Sequence, residues 1–376
     1  GDISHADIDA LNKSHLQYKH QSRLAKTNFI NIIVDAFYVD KFAVDFADAN
    51  EDGDAIVTLY RTDVKTEDIF HTIGIDYLNA KQIDENTVLL RPDEITLLKE
   101  NAPYLIAMKV RDLREMPPEA CEISEPDIIH ISAPGHEPVI GVIDTPFSKN
   151  VYFSDWVTYE NMLDDGIELD AHDYTHGTEV TSIIVDGPAI NPSLDDGCGR
   201  FRVKHFGVAK RGRFSSYSIL RSIRTAVSQN RDIKVWNLSL GSMLPIKQNF
   251  ISPEAAELDK IQNEYDVIFV IAGTNGIPGQ PTIPIGAPAD SLNSLVINSV
   301  TRENTPASYH RVGPVLSFFH KPDVSYYGGD AGHPMHVCTP TGEGFVQGTS
   351  FSAPWITRKM AYLICTLGFS REIAKA

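Results

Sequence analysis

Three side chains in this sequence have the types and local settings needed to attack a carbonyl. They are Asp144, His176 and Ser350, in that chain order. A serine hydroxyl is a poor nucleophile until a base removes its proton. An imidazole can be that base when a carboxylate fixes its tautomer and stabilises the imidazolium that forms. Ser350 lies in Gly348-Thr349-Ser350-Phe351-Ser352-Ala353-Pro354, with small residues before it and a helix expected after it through about Leu363. A helix start aims unpaired backbone N–H groups at the space the serine oxygen would occupy, which suits a developing oxyanion. Ser352 sits two residues further into the same helix, so Ser350 is the preferred nucleophile.

His176 lies in Tyr174-Thr175-His176-Gly177-Thr178-Glu179-Val180, followed by Ile183-Ile184-Val185. The Gly and Thr indicate a tight approach as a helix begins. Glu179, one turn on, reads as a solvated or ion-paired helix residue. Asp144 follows the apolar run Pro138-Val139-Ile140-Gly141-Val142-Ile143, a buried strand that delivers its side chain to a sheet's carboxyl edge.

These segments together resemble the subtilisin-like serine proteases, the subtilase family or peptidase S8, whose chain order is also Asp, His, Ser. Other words agree. Asn237-Leu238-Ser239-Leu240-Gly241 resembles the family's substrate-binding strand, and Gly207-Val208-Ala209 resembles its Gly-Val-Ala-Pro turn with Lys210 in place of Pro. Ala307-Ser308-Tyr309 and Lys321-Pro322-Asp323-Val324 also fall where the family has similar words. The resemblance spans about residues 138–368.

The resemblance implies a serine endopeptidase that hydrolyses polypeptides through an acyl-enzyme intermediate. Ser350 is then the nucleophile, His176 the base and Asp144 its partner. Ser239, Leu240 and Gly241, with Ala272 and Gly273, bind the substrate. The family's oxyanion donor is an Asn after Ala-Gly, whereas this chain has Ala272-Gly273-Thr274-Asn275. Thr274 takes the donor position without a gap, and Asn275 takes it with a one-residue shift. The alternative function is a catalytically silent or blocked scaffold or sensor on the same fold. A sedolisin-type peptidase uses Glu as its base, and His176-Gly177-Thr178 speaks against it. The chemistry requires no cofactor. Structural calcium occurs in the family, but no ligand carries over residue by residue.

The elements that must position these groups are legible from periodicity. Short apolar strands at 138–143, 235–240, 267–271 and 294–300 alternate with helices such as 219–228. Continuous apolar strands between helices indicate a parallel sheet covered on both faces. The fold expected for 138–376 is therefore α/β, a doubly wound, mostly parallel sheet. Residues 54–111 read β-α-β-β-α-β, a small ferredoxin-like α+β domain. By order and position it resembles the subtilase propeptide, which implies an intramolecular inhibitor. Residues 112–137 carry Pro117, Pro118, Pro126 and Pro134 and read as a linker, since proline suits neither a helix interior nor a central strand. Residues 1–53 read as a helical extension.

Composition limits the partners. The chain has 376 residues and a formal net charge of −17, which disfavours both nucleic acid and an anionic membrane surface. No run of about 18 apolar residues marks a membrane span. Cys121, Cys198, Cys338 and Cys365 are widely spaced and read as free, mostly buried thiols. With no visible export signal, these thiols point to a cytoplasmic setting, and secretion is the alternative the family offers. Asp48 to Asp54 opens like a calcium loop, but Leu59 stands where a bidentate Glu is required, so it reads as an acidic turn.

Overall fold

The described residues of the computed structural model are 54–60, 64–101 and 130–376 except 165, 211–214, 248–249 and 317–318. The backbone of short strands at 106–109, 114–115 and 121–124 is described as well. The expected helical extension over 1–53 lies outside them.

The first elements are β1 (Ala55–Thr58), α1 (Thr66–Ile73), β2 (Lys81–Asp84), β3 (Thr87–Leu90), α2 (Pro92–Asn101) and β4 (Ile106–Lys109). The strands form an antiparallel sheet in the order β2-β3-β1-β4, the ferredoxin-like arrangement. Strand alternation splits the apolar residues between two faces. Val57, Val88 and Leu90 pack with Phe70 and Leu98 of the two helices. Ile56 and Ile83 face the other way and join the core of the larger domain. Residues from Gly53 onward accordingly form one compact unit.

The larger domain is built on seven parallel strands. They are β7 (Val139–Asp144), β8 (Val157–Asn161), β9 (Arg202–Gly207), β10 (Val235–Leu238), β12 (Ile268–Ala272), β13 (Leu295–Val300) and β14 (Val324–Tyr327). Their order across the sheet is β14-β13-β12-β10-β7-β9-β8. From β7 in the middle the chain runs to the edge at β8 and comes back to β9, then crosses to β10 and builds outward through β12, β13 and β14 on the other side. The reversal falls between β7 and β10, and an open α/β sheet places its ligand crevice beyond the carboxyl ends of the strands at such a point.

Both faces of the sheet are covered, as its apolar strands require. Helices α3 (Thr175–Ile190) and α6 (Thr349–Ala361) cover one face, where Ile183, Ile184, Phe351 and Trp355 meet Val142, Val270 and Ile297. Helices α4 (Ser216–Gln229) and α5 (Pro253–Tyr265) cover the other, where Ile219, Ile223 and Leu258 meet Ile143, Trp236 and Phe269. The hairpin β15 (Met335–Thr339) and β16 (Gly342–Val346) leads into α6, and a short α7 (Arg371–Lys375) follows it.

The proline-rich linker contains two short strands that composition did not indicate. Residues Arg114–Glu115 (β5) pair antiparallel with Leu240–Gly241 (β11), and Cys121–Ser124 (β6) pairs with β16. Both lie at the edges of small sheets. The thiols also differ from expectation. Cys338 is buried, Cys198 is partly exposed and Cys365 is exposed, all free, while the side chain of Cys121 lies outside the described residues.

One buried cation ties α3 and α6 together. Arg358 of α6 donates to the Ile184 carbonyl of α3, to the Gly199 carbonyl and to the Asp196 carboxylate. Its guanidinium stacks near Phe201 and Trp355. Removing one partner of such a pair leaves the other charge buried and alone. The Arg358→Ala variant is expected to lose roughly 3–5 kcal/mol of unfolding free energy in a denaturant titration.

Candidate active site

Asp144 ends β7 and is fully buried. Its Oδ1 accepts from the Thr145 N–H at 2.7 Å and bonds the Nδ1 of His176 at 2.6 Å. His176 is the second residue of α3 and is also buried. The approach of α3 to the end of β7 depends on Gly177. A Cβ there would stand 2.2 Å from the Thr145 carbonyl oxygen and 2.9 Å from the His205 ring. The Gly177 N–H instead donates to the Thr145 hydroxyl at 2.9 Å, which docks the helix start on the strand end.

Ser350 is the second residue of α6. Its hydroxyl donates to the Ser239 carbonyl at 3.4 Å, and the Ser239 hydroxyl donates to the Ser350 carbonyl at 3.2 Å. Ser239 is held in turn. Asn237 donates to its hydroxyl at 3.0 Å, and Thr357 of α6 donates to the Asn237 side chain at 2.9 Å. The Phe351 ring lies 5.9 Å from the His176 ring, so the Ser350 turn and the His176 turn adjoin. Ser352 points elsewhere, donating to the Thr349 carbonyl and sharing a bond with Ser299 of β13.

The two candidate oxyanion donors have different surroundings. The Thr274 hydroxyl donates to the Gly273 carbonyl at 2.6 Å and accepts from the Gly286 N–H at 2.9 Å. The Asn275 side-chain oxygen accepts from both the N–H and the hydroxyl of Thr349, at 3.0 and 2.9 Å. Its Nδ2 lies 2.9 Å from where a Cβ on Gly348 would stand, and Gly348 has φ +149°. A glycine is therefore needed immediately before the Thr349-Ser350 turn.

The substrate-binding candidates gather at the same edge. Leu240 and Gly241 follow β10, while Ala272 and Gly273 end and follow the adjacent β12. Of the two expectations for Glu179, solvated or ion-paired, the solvated one does not hold: the residue is buried, because α3 turns that face towards the hairpin at Gly344. Among the described residues, no cluster of three or more His, Cys, Asp and Glu assembles a metal site. No described helix is long and apolar enough to cross a membrane.

Sequence reasoning missed His205. It sits on β9, fully buried, and bonds the Thr145 carbonyl through Nε2 at 2.7 Å and Thr181 of α3 through Nδ1 at 2.8 Å. It therefore braces the Asp144-Thr145 turn against the helix that bears His176. Burial pushes its pKa down from 6.5 to about 4, against the opposing pull of Asp144. The folded chain thus binds fewer protons here than the unfolded chain between those two values. Stability from this group is full above pH 6.5 and declines as pH falls towards about 4. Denaturant titrations across that window are expected to show a smaller acid loss for His205→Gln than for the parent chain.

Comparison with known proteins agrees with this architecture. The sequence model of the subtilase family matches residues 135–367. A structure of the epidermin leader peptide processing serine protease from Staphylococcus aureus, an S393A mutant, is 16% identical with a TM-score of 0.59. That match covers 85% of this chain and 91% of the other. The nisin leader peptidase from Lactococcus lactis is 17% identical, with a TM-score of 0.50 over 65% of this chain and 82% of the other. At such identities these structures report the fold. No curated protein matches the sequence. The family match covers most of the chain and includes the elements bearing Asp144, His176 and Ser350, and the chain belongs to the subtilase family of serine proteases.

Proposed function

We propose that the protein is a serine endopeptidase that cuts polypeptides through Asp144, His176 and Ser350, and that its own N-terminal portion blocks the cleft. The observation that carries the reading is the buried 2.6 Å bond between Asp144 and His176, beside a serine at a helix start. Ser350 attacks the scissile carbonyl while His176 takes its proton. The carboxylate of Asp144 stabilises the imidazolium and holds the ring's orientation. The tetrahedral intermediate collapses, His176 gives its proton to the leaving amine, and an acyl-enzyme remains. Water then enters, is deprotonated by His176 and releases the acid.

The oxyanion donors in this reading are the Ser350 N–H and the Asn275 side-chain amide. Two bonds from Thr349 to the Asn275 oxygen turn its NH₂ group towards the Gly348 backbone. The Thr274 hydroxyl is already engaged with Gly273 and Gly286, which favours Asn275 over Thr274. Ser239, Leu240 and Gly241 pair with the substrate backbone, with Ala272 and Gly273 opposite.

Once the block is loosened by Asp84→Lys, a fluorophosphonate should add to Ser350, seen as a mass increase absent when Ser350→Ala is introduced as well. The same replacement is expected to lower kcat by about 10⁶-fold. Asn275→Ala should lower kcat by about 10²–10³-fold with KM little changed. A probe adduct that persists in Ser350→Ala would contradict the assignment.

The blocking reading treats 54–111 as a propeptide-like domain, 112–137 as its linker and 138–376 as the catalytic domain. Three observations support it. Strand β5 occupies the edge of β11, where a substrate backbone would pair. Ser350 is only 1% exposed. The small domain is also fastened to the large one, through Asp84 with Lys260 and Arg224 and through Tyr217 with the Gln82 carbonyl. Asp84→Lys sets like charges against each other at this junction. It should raise peptide hydrolysis by the intact chain by roughly 5–30-fold, the effect of losing 1–2 kcal/mol of docking. Equal, full rates in both intact chains would contradict the blocking.

A further inference from the structure

The space beside the nucleophile that would take a substrate side chain is occupied by the chain itself. In the proteolytic reading a peptide pairs with β11 as β5 does, so the side chain next to the cut bond enters between Ser239-Leu240-Gly241 and Ala272-Gly273-Thr274. Thr274 stands in that gap. A Cβ on Gly241 would lie 2.7 Å from the Thr274 Cγ2 and 3.6 Å from the Ala287 carbonyl oxygen. The methyl is therefore within contact distance of the Gly241 backbone.

Thr274 is also held in place. Its hydroxyl accepts from Gly286 and donates to Gly273, which fixes the direction of the methyl. The Ser242 N–H donates to the Ala287 carbonyl at 2.6 Å, so the segment carrying Gly286 is closed against the Gly241 wall. A Cβ on Gly286 would stand 1.9 Å from the Ser242 carbonyl oxygen, which shows how tightly these backbones meet. Two cavities, of 730 and 380 Å³, lie elsewhere. The first is lined by Met162, Tyr217 and Arg221, and the second by Leu194, Val300 and Tyr326.

The backbone makes the arrangement unusual. Thr274 has φ +65°, a region a β-branched residue rarely enters. Such strain persists where the surroundings over-determine it, and it gathers at ligand clamps and active sites. A glycine would adopt this φ without strain and leave the gap open.

We propose that Thr274 closes the primary specificity pocket, so that the enzyme accepts only glycine, alanine or serine at the residue whose carbonyl is attacked. This rests on the serine peptidase reading and adds a substrate class to it. The constraint is steric and acts on the side chain rather than on the backbone. It therefore discriminates among peptides without altering the reactivity of Ser350.

The test is a peptide series differing only at that residue, Gly, Ala, Leu or Phe, offered to the Asp84→Lys chain as the parent, in which the block is loosened, and to its Thr274→Ser and Thr274→Gly versions. Thr274→Ser keeps both hydrogen bonds and removes only the methyl. The expected result is a parent kcat/KM for Ala exceeding that for Phe by about 10–200-fold. The advantage should shrink in Thr274→Ser and vanish or reverse in Thr274→Gly. Binding of the same peptides to these chains carrying Ser350→Ala together with Asp84→Lys, read by fluorescence polarisation, should rank them identically and needs no turnover. A parent chain that prefers Phe or Leu, or an Ala-to-Phe ratio unmoved by both replacements, overturns the proposal. Fluorophosphonate labelling needs no side-chain pocket, so loss of labelling in the parent would be a failure of the peptidase reading instead.

Discussion

The site depends on how closely the first turn of α3 can approach the end of β7. Asp144 reaches the His176 Nδ1 at 2.6 Å only because Gly177 presents no Cβ to the Thr145 carbonyl. The Thr145 hydroxyl then takes the Gly177 N–H, and His205 takes the Thr145 carbonyl from below. Gly177, Thr145 and His205 thus together fix the hydrogen bond between Asp144 and His176. Because these groups are buried, the bond is shielded from competing water, which strengthens the electrostatic hold on the imidazole.

The rest of the fold brings a second helix start to the same place. The winding of the sheet reverses between β7 and β10, which brings the ends of these two strands, with Asp144 and Ser239, side by side. Helix α6 crosses that face and offers Ser350 against Ser239, with Thr357 and Asn237 holding Ser239 in turn. Arg358 joins α6 to α3 through the Ile184 carbonyl. The serine and the histidine are therefore borne by helices that are bonded to each other, and neither sits on a free loop. Sites on such elements are held more precisely than sites on loops.

Much of this was legible in the sequence because the site residues sit in compact local words. Gly348-Thr349-Ser350 and His176-Gly177-Thr178 mark helix starts, and the apolar run before Asp144 marks a buried strand. The parallel sheet followed from continuous apolar strands, and the small domain from its element order. Strand β9 was less visible because Arg202 and Lys204 interrupt its apolar pattern. Their side chains reach the Glu137 carbonyl and Asn230 at the periphery while Val203, His205 and Phe206 fill the interior. His205 was hidden for the same reason, since a lone histidine in an alternating strand carries no local signal. Arg358 looks like a surface helix residue until the fold brings it Asp196, a partner 162 positions away in sequence. Thr274 and Asn275 stayed open because donor geometry depends on what each side chain already bonds.

The most direct measurement is proton NMR of the imidazole of His176 in the intact chain, beside Asp144→Ala. A short buried bond to a carboxylate predicts a slowly exchanging Nδ1 proton far downfield, absent in the variant. An imidazole proton that exchanges freely, with the same spectrum in both chains, would contradict the pairing on which the site is built.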